Sequence, residues 1–546
     1  MSSKPNGSQS FLYFISILFI IAAPGIYFRL LNDTFLTLVL NTLSVFSLFL
    51  LPTVFIRRKL KWYAWFLLPV ILVGIVNFAC IYHYKMPIND GLITVAINTN
   101  KDEFNELASG YWFSFLIIFC IYIGVYLLLL KKVPEQLSYK KSVKVSVFSF
   151  LIISIIPFFD DADYDYFRKL RARYYSVFPT SVLYAANSVY AQYQIMDETK
   201  TERDQFKFNA KQSNSQKQIY VLVIGESDRR DHWSLYGYHR NTTPKMLQKE
   251  NLIPFNNMNT AGYLTEFAVP IILTGIDPSN FLQHTKQKSI VSLFKEAGFE
   301  TYWISNQTDF GHISIHAAES RNRYFFASDE NRKTKNINDD SELLLPLNKV
   351  MNQPGNKKFI VIKLQGSHYD YAKRYPNNFD VFKPSNKTVP TSANDFKNKE
   401  IITNTYDNTV LYTDTILDSI INIINKQNVI SSVFYISDHG EDLFDDERRL
   451  SQHAAEIPSK YIAPIPFTIW YSNQYKQNAT YQIHQLNLNK GKKASSQHLF
   501  YTIAEMAEIQ FRHFDSTKSL SSKAFIEKPR YIVGGNLKTF NSDSLK

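Results

Sequence analysis

Residues 431–441 read SSVFYISDHGE, a mainly apolar run followed at once by acidic and imidazole side chains. The run Ser431–Ile436 is bounded by turn residues, which is typical of a buried strand. Asp438, His439 and Glu441 stand just beyond the predicted end of this strand. In parallel sheets covered by helices, ligands bind beyond the carboxyl ends of the strands. These three side chains are therefore candidates for chemistry.

Four similar runs lie elsewhere in the second half of the chain: Ile219–Ile224, Thr301–Ser305, Lys358–Leu364 and Phe467–Tyr471. Segments of helical length separate them, such as Ser289–Ala297 and Asn408–Ile424. Buried strands that alternate with helices predict a mainly parallel sheet covered on both faces. We therefore expect an α/β domain.

Two more predicted strands end in residues that can bind a metal ion. Glu226 follows the first of these runs and His368 follows the third. Carboxylate oxygens and imidazole nitrogens are ligands of catalytic zinc, which keeps one coordination position open. Glu226, Asp438 and His439 would supply three ligands. A single Asp-His pair is more often an ordinary hydrogen-bonded turn, but the convergence of three strand ends favours a metal site.

The first part of the chain has a different composition. Hydrophobic residues make up 45% of the chain and aromatic residues 15%, which excludes a disordered or fibrous protein. The apolar residues crowd into the part before Asp160, and a helix needs about 20 of them to cross a bilayer. We predict five spans, after which no comparable run follows: Phe11–Leu31, Phe35–Ile56, Tyr63–Tyr82, Tyr111–Leu130 and Val143–Phe159.

Basic residues in the loops predict the orientation, because cytoplasmic loops retain positive charge. Two loops are basic, between spans two and three and between spans four and five: Arg57, Arg58, Lys59 and Lys61, then Lys131, Lys132, Lys140 and Lys141. The N-terminus is then cytoplasmic, and the chain after Phe159 is outside. A cleaved signal peptide is the alternative for the first span, but no small-residue cleavage pattern follows its long apolar stretch.

The formal net charge of +12 lies largely in these loops, and no nucleic-acid motif is apparent, so we expect no nucleic acid partner. Cys80 and Cys120 both fall within predicted spans, so the outer domain cannot contain a disulfide. We predict three parts, namely a transmembrane domain at 1–159, interfacial helices with a linker at 160–217, and the outer domain at 218–546.

Residues 160–194 interleave aromatic side chains with Arg168, Lys169, Arg171 and Arg173. This pattern predicts an amphipathic helix on the membrane surface, and a helix packed on the outer domain is the alternative. Residues 197–217 are polar and low in apolar content, as in a linker.

The motifs at the strand ends resemble those of the membrane-bound phosphoethanolamine transferases of the alkaline phosphatase superfamily. Residues 225–230 read GESDRR, 234–238 read SLYGY, 242–244 read TTP and 437–441 read SDHGE. The resemblance covers nearly the whole chain. It implies an alkaline-phosphatase-like outer domain and a multi-pass protein of the bacterial inner membrane with a periplasmic catalytic domain.

The family further implies a threonine that ligates zinc and takes phosphoethanolamine from phosphatidylethanolamine. The intermediate would be a zinc-bound phosphothreonine. Thr265 matches this nucleophile by its spacing to Val269-Pro270, and Thr260 is the competing candidate. Without the resemblance, a helix-capping role for Thr265 would be favoured. One tight zinc site, with or without a weaker second site, is compatible with the sequence.

By similarity, His368 and His453 should face the phosphoryl oxygens or a second zinc, and either could donate a proton to the leaving group. Other histidines, such as His312, His316 and His498, are scattered, and we expect them to be surface or packing residues. In the outer loop between spans three and four, residues 99–103 resemble the family's Thr-x-x-x-Glu segment. This implies that Thr99 and Glu103 contact the donor head group; the alternative is a solvated charged helix.

The chain departs from the branch of the family that modifies lipid A. That branch commonly has disulfides in the outer domain, including a cysteine pair that flanks the nucleophile. This chain has Ala261 and Ile271 in that region. The GESDRR and TTP forms are more similar to the branch that acts on lipopolysaccharide core sugars or periplasmic glucans. The acceptor is therefore left open between lipid A, a core sugar and another envelope glycan. Two polar segments, Ser328–Asp340 and Pro384–Lys399, are predicted as surface loops that could line its path.

Two rival functions remain. A sulfatase needs Cys/Ser-x-Pro-x-Arg, which residues 265–268 do not resemble, but a phosphodiesterase of the same superfamily is harder to exclude. The other rival is a non-catalytic envelope-binding protein, which is disfavoured because all four predicted metal ligands are present.

Overall fold

A computed structural model describes residues 7–98, 101–159, 165–307, 311–325, 339–391, 395–453, 455 and 457–546. The chain divides into two compact units, Met1–Tyr190 and Ala191–Lys546.

The first unit is helical. Its helices are α1 (Gly7–Asn32), α2 (Phe35–Leu50), α3 (Thr53–Ile56), α4 (Leu60–Phe66), α5 (Leu68–Tyr84), α6 (Asp90–Asn98), α7 (Lys101–Lys132), α8 (Tyr139–Ile155), α9 (Tyr166–Tyr175) and the first part of α10 (Thr180–Glu198). Among the described residues, four helical segments are long and apolar enough to cross a membrane: Phe11–Leu31, Phe35–Tyr84, Trp112–Lys132 and Tyr139–Phe159. The helical membrane region predicted from the sequence is thereby confirmed.

The second of these segments has 50 residues and contains two of the predicted spans. Its first half, α2, runs antiparallel to α1, because the Phe19 and Phe46 rings are in contact and Asn41 lies against Gly25. A break follows at Pro52, where α2 has ended and the short helix α3 begins.

The later half of the same segment runs parallel to α1. Phe14 contacts Tyr63 and Tyr27 contacts Phe78. The chain therefore reverses direction within the segment. The basic residues 57–59 lie at the reversal, where their charges need not enter an apolar environment.

The second unit is built on a seven-stranded sheet with the strand order β2-β10-β7-β1-β6-β4-β5. Its strands are β1 (Gln218–Gly225), β2 (Leu252–Pro254), β4 (Glu300–Ser305), β5 (Asn322–Phe325), β6 (Lys357–Lys363), β7 (Ile430–Ser437) and β10 (Phe467–Tyr471). Strands β7, β1, β6, β4 and β5 are parallel, whereas β10 and β2 are antiparallel to their neighbours. The predicted mainly parallel α/β sheet is confirmed. Three two-stranded pairs complete the unit: β3 (Met258–Asn259) with β11 (Ala494–Ser495), β8 (Asp442–Leu443) with β9 (Ser451–Gln452), and β12 (Tyr531–Val533) with β13 (Thr539–Asn541).

Both faces of the sheet are buried, because successive side chains of a strand point to opposite faces. In β1, Tyr220 and Leu222 pack in one core, whereas Val221 and Val223 pack in the other. The helices of this unit include α11 (Lys200–Gln205), α12 (Pro244–Leu247), α13 (Thr265–Thr274), α14 (Ile290–Glu296), α15 (Gly311–Ala317), α16 (Leu344–Met351), α17 (Lys399–Asn425), α18 (Asn473–Asn478), α19 (Thr480–Asn489) and α20 (His498–Met506).

Helix α17 begins nine residues before the predicted Asn408–Ile424. Its first part was missed because it is polar, yet Asn404, Thr405 and Asp407 are buried. These side chains bind loop segments of the same unit instead of facing solvent.

The region predicted as interfacial helices and linker is described from residue 165 onward and is divided between the two units. In α9, Phe167 is exposed whereas the Tyr174 hydroxyl lies 2.8 Å from Ser47 Oγ of α2. Its position at a membrane surface stays a prediction. In the predicted linker, helices continue to Gln205, and Phe208 is then buried in the core of the second unit.

The two predicted surface loops are only partly described. Residues 328–338 and 392–394 lie outside the described residues. Asp340 is buried, and its carboxylate accepts hydrogen bonds from the backbone amides of Gln365 and Gly366 at 2.8 and 2.9 Å. The prediction that Asp340 belongs to a surface loop was therefore wrong. A carboxylate that accepts backbone donors can stay inside the fold.

Candidate metal centre and nucleophile

The predicted site residues come together at one edge of the sheet. Strand β1 lies between β6 and β7 in parallel register, so the residues that follow the three strands are neighbours. Glu226 follows β1, His368 follows β6, and Asp438 and His439 follow β7.

Glu226, Asp438 and His439 form a compact cluster in which one ligand atom of each lies within 4.8 Å of the others. His439 Nε2 is 3.4 Å from Glu226 Oε1 and 3.5 Å from Asp438 Oδ2. All three side chains are buried. Nδ1 of His439 donates to the carbonyl oxygen of Gly440 at 2.8 Å, and this bond orients Nε2 toward the carboxylates.

Strong electrostatic coupling accompanies this geometry. Burial raises the pKa of Asp438 to about 6, and the Glu226 charge adds to the rise. Burial opposes ionisation of Glu226, but the charges of Lys363 and His439 hold its pKa well below the usual range. Burial lowers the pKa of His439, but the carboxylates of Asp438 and Glu226 outweigh it and raise the pKa to about 9.

The cluster fits a divalent cation. Oδ2 of Asp438 is buried and has no hydrogen-bond partner among the described residues. A buried carboxylate oxygen without a donor is costly, and a bound cation removes that cost. Two carboxylates and one imidazole are a ligand set that zinc accepts.

Thr265 is the first residue of α13 and stands beside this cluster. Its Oγ1 lies 3.1 Å from Glu226 Oε1 and 3.2 Å from His439 Nε2. The side chain is half-buried. The first amides of a helix have no partners within it and can bind an anionic group. The Thr265 hydroxyl therefore lies beside a candidate cation site and at the start of a helix.

Thr260, the competing candidate, is placed differently. It is fully buried, and its hydroxyl donates to the carbonyl oxygens of Gly262, at 2.7 Å, and of Asp438. Both acceptors belong to the backbone, so this hydroxyl ties two loop segments together and does not face the ligand cluster.

A second cluster adjoins the first through His439. One ligand atom each of His439, Glu441 and His453 lies within 4.8 Å of the others. His453 Nδ1 is 3.0 Å from Glu441 Oε2, and the Tyr371 hydroxyl donates to Glu441 Oε1 at 2.9 Å. The structure thus places the predicted residue His453 next to the first cluster and adds Glu441 as a possible ligand.

His368 belongs to neither cluster. Its Nδ1 donates to the carbonyl oxygen of Tyr369 at 2.6 Å. It lies close enough to Glu226 to interact electrostatically with that carboxylate. The end of β6 therefore borders the site, but His368 supplies no ligand to either of the two clusters.

Sequence reasoning missed two residues of the site. Lys363, the last residue of β6, has Nζ 3.3 Å from Glu226 Oε2, and Gln307 donates to the same oxygen at 2.9 Å. Gln307 follows the end of β4, so the strand-end rule that selected Glu226 also points to it. Lys363 stands in an otherwise apolar run, and a charged residue in a buried strand is itself a signal of a paired partner.

Five other residues were singled out in the sequence: three histidines, Thr99 and Glu103. His312, His316 and His498 are buried, which fits packing and not the surface. Thr99 lies outside the described residues. Glu103 falls within α7, but its side chain is not among those described.

Comparisons with known proteins agree with this architecture. The family model described as Sulfatase matches residues 218–509, which is more than half of the chain, and the model described as Phosphoethanolamine transferase EptA/EptB matches residues 43–193. Among curated proteins, Phosphoethanolamine transferase EptC of Escherichia coli K12 is 30% identical over 330 residues, which cover 59% of this chain and 56% of that protein.

Two solved structures are also similar. The periplasmic domain of Escherichia coli EptC, in a complex with zinc, has 29% identity and a TM-score of 0.55, and the match covers 62% of this chain and 96% of that one. The integral membrane protein EptA of Neisseria meningitidis has 22% identity and a TM-score of 0.75, with coverages of 94% and 97%, and shows the same fold over both units. The chain therefore belongs to the sulfatase family, and its residues 43–193 are similar to the phosphoethanolamine transferases EptA and EptB.

Proposed function

We propose that this protein transfers phosphoethanolamine from phosphatidylethanolamine to a hydroxyl of lipopolysaccharide or another envelope glycan. The observation that carries the proposal is the position of Thr265. Its hydroxyl lies at the start of a helix and within 3.2 Å of both Glu226 and His439. The match of residues 43–193 to the phosphoethanolamine transferase model supports the reaction class.

Zinc is the proposed cofactor, with Glu226, Thr265, Asp438 and His439 as its ligands. Oδ2 of Asp438, which has no hydrogen bond among the described residues, supports a cation there, and the EptC periplasmic domain has been solved with zinc. When bound, zinc would activate the threonine hydroxyl and stabilise negative charge on the phosphoryl oxygens. The adjoining group of His439, Glu441 and His453 is the candidate for a second, weaker site.

The proposed transfer has two steps. Thr265 Oγ1 attacks the phosphorus of the donor, the bond from phosphorus to the diacylglycerol oxygen breaks, and diacylglycerol leaves with the proton given up by the hydroxyl. An acceptor hydroxyl then attacks the phosphothreonine, the bond to Thr265 breaks, and the threonine regains a proton. We propose that the amides of Thr265 and Glu266, the first two residues of α13, bind the phosphoryl oxygens in both steps.

His453 and His368 are the proposed proton donors to the leaving groups. His453 is held by Glu441 at 3.0 Å, and a carboxylate partner keeps an imidazole oriented for proton transfer. His368 borders the Glu226 side of the site and is the second candidate.

The membrane unit fits a donor that is itself a bilayer lipid. We propose that its apolar helices cross the inner membrane five times, with the N-terminus in the cytoplasm and the catalytic domain in the periplasm. We propose that residues 1–159 form the membrane spans and residues 160–217 the interfacial helices and linker. Residues 218–546 would then form the catalytic domain. Thr99 and Glu103 remain proposed contacts of the donor head group, where a carboxylate would suit the ethanolamine ammonium.

The acceptor is proposed as a class and not as one molecule. The Neisseria meningitidis relative is described as a lipooligosaccharide phosphoethanolamine transferase, which supports an envelope glycolipid. The similarity of the GESDRR and TTP motifs to the branch acting on core sugars or glucans favours a sugar hydroxyl outside lipid A.

Peptide mass spectrometry of the full-length protein tests the central step. Protein loaded with zinc and supplied with phosphatidylethanolamine should carry a phosphoethanolamine group on the peptide containing Thr265. Thr265→Ala should abolish the adduct, whereas Thr260→Ser should keep it, because the Thr260 hydroxyl is engaged by backbone carbonyls.

An adduct on Thr260, or transfer that survives Thr265→Ala, would contradict the assignment. Release of free phosphoethanolamine to water at the rate of transfer would favour the phosphodiesterase alternative. Failure of purified protein to retain zinc would favour a non-catalytic envelope-binding protein.

A further inference from the structure

Lys363 is a lysine with an unusual position: it ends a central strand and is completely buried. Its Nζ contacts two groups, Glu226 Oε2 at 3.3 Å and the side-chain oxygen of Gln307. A buried ammonium is costly unless it is paired and hydrogen-bonded. Both partners of Lys363 belong to the metal-site edge of the sheet, so the cost of its burial is tied to the site.

Lys363 also determines how Gln307 is oriented. An ammonium group can only donate, so the amide oxygen of Gln307 must face it. The amide nitrogen is thereby turned the other way, where it donates to Glu226 Oε2 and to the carbonyl oxygen of Leu364, both at 2.9 Å. Two donors thus converge on one oxygen of Glu226.

The other oxygen of Glu226 has different surroundings. Oε1 accepts from the Ser227 hydroxyl at 3.1 Å and is the oxygen that lies 3.4 Å from His439 Nε2. The two oxygens are therefore unequal: Oε2 accepts from Lys363 and Gln307, whereas Oε1 is the one nearer His439. Thr265 Oγ1 lies close to both, at 3.1 Å from Oε1 and 3.3 Å from Oε2.

We propose that Lys363 is a positioning residue that restricts Glu226 to monodentate coordination of the metal ion. One coordination position of the metal then stays open for the phosphoryl group. This inference rests on the proposed function. With Oε2 held by two donors, Glu226 can offer only Oε1 to the cation. A catalytic zinc site needs such an open position, and a carboxylate that coordinates in bidentate fashion would fill it.

The inference separates metal binding from transfer. Lys363→Met keeps an unbranched apolar stem and removes the ammonium. Glu226 can then turn both oxygens to the cation, so zinc should bind at least as tightly as in the wild type. Formation of the Thr265 adduct should fall by about tenfold or more, the scale seen when groups that orient metal ligands are lost.

Three measurements on the full-length protein test this: zinc affinity by competition with a chelator, the visible spectrum of the cobalt-substituted protein, and the rate of the Thr265 adduct. The cobalt spectrum reports coordination number, and Lys363→Met should show the weaker bands of a higher coordination number. Lys358→Met is the matched control, because Lys358 is also buried on β6 but donates to the carbonyl oxygen of Gln353 at 2.6 Å. It should change none of the three.

Two outcomes would overturn the inference. One is an unchanged adduct rate in Lys363→Met. The other is weaker zinc binding with a rate that recovers at saturating zinc, which would make Lys363 a support for metal affinity alone. If Lys363→Met does not fold, Gln307→Met removes the other donor to Oε2 and should give the same combination of tight zinc and slow transfer; an unchanged rate there would count against the inference.

The proposed function can fail separately. Wild-type protein that holds zinc but forms no adduct would contradict the transferase assignment. The cobalt spectra of the wild type and Lys363→Met would still decide whether Lys363 controls the coordination of Glu226.

Discussion

His439 carries a proton in the metal-free site because two carboxylates surround it. Burial alone would lower its pKa, yet the neighbouring charges raise it to about 9. Its Nε2 is also the atom that faces Glu226 and Asp438. The imidazole therefore binds a proton at neutral pH where it would otherwise bind zinc.

Zinc binding should consequently depend on pH. The ring must lose its proton to ligate, so each bound ion displaces one proton below pH about 9 and the affinity falls as the pH falls. We expect the logarithm of the zinc affinity to rise by about one per pH unit between about pH 6.5 and 8.5. Chelator competition across this range checks the slope, and calorimetry in two buffers of different ionisation enthalpy checks the proton release. An affinity independent of pH would contradict the protonated His439.

At the scale of elements, the segment after Glu226 acts as a scaffold. Residues 232–246 attach to α17, where buried Asp407 accepts from Tyr238 at 2.9 Å and Arg240 at 2.7 Å and lies 2.7 Å from His232 Nδ1. Asp414, two turns further along α17, accepts the first amides of α12. These contacts explain the SLYGY and TTP stretches without giving them a part in the chemistry.

Removing Asp407 should therefore affect stability. Asp407→Ala leaves Arg240 and His232 without their buried partner, and we expect the free energy of unfolding to fall by about 3 kcal/mol. Asp418→Ala is the control on the same helix; Asp418 pairs with Lys245 and Lys249 nearer the surface, and we expect about 1 kcal/mol or less. Denaturant unfolding of the full-length protein checks both, and equal losses would contradict the scaffold role.

Gly262 allows the turn before α13 to pack against the start of that helix. A Cβ there would lie 2.5 Å from the backbone nitrogen of Ala268 and 2.8 Å from the carbonyl carbon of Phe267. Neither atom can move without shifting the helix that carries Thr265. The position of the nucleophile thus depends on a residue without a side chain.

We expect Gly262→Ala to slow formation of the Thr265 adduct by about tenfold to a hundredfold, because small displacements of reacting groups are costly. Gly491→Ala is the control, since a Cβ there meets no atom within 4 Å, and it should leave the rate unchanged. Mass spectrometry of the adduct over time provides the comparison. A wild-type rate in Gly262→Ala would show that the turn adapts.

At the scale of the whole molecule, the two units differ in where their apolar side chains lie. In the first, apolar side chains such as Phe55, Phe113 and Phe150 are exposed, as expected of a surface that faces lipid. In the second, the apolar side chains of the sheet are enclosed in two cores. Cysteine occurs only at Cys80 and Cys120, in the first unit, so the second unit is stabilised by its cores without disulfides.

This cysteine distribution allows a direct test of orientation. In a background with Cys80→Ser and Cys120→Ser, we expect Gly491→Cys to react with a membrane-impermeant maleimide in intact cells. Lys140→Cys, in the predicted cytoplasmic loop, should react only after the inner membrane is opened. Both positions are exposed. Labelling of Lys140→Cys in intact cells would reverse the proposed topology.

Local pattern was enough to predict the membrane helices, the five predicted strands of the main sheet and the cluster of Glu226, Asp438 and His439. A buried strand is apolar over a short run, and a parallel sheet aligns the ends of its strands, so residues next to each strand end must meet. The resemblance to the transferase family supplied the reaction that we propose.

Only the tertiary structure distinguished Thr265 from Thr260 by contact, and only it revealed Lys363 and Gln307 beside Glu226. Thr265 and His439 are 174 positions apart, and Lys363 and Glu226 are 137 apart. Their contacts depend on how helices and loops pack around the sheet, which no local pattern encodes. The burial of Asp340 and the polar start of α17 escaped prediction for the same reason: a polar side chain looks exposed in the sequence until its buried partner is known.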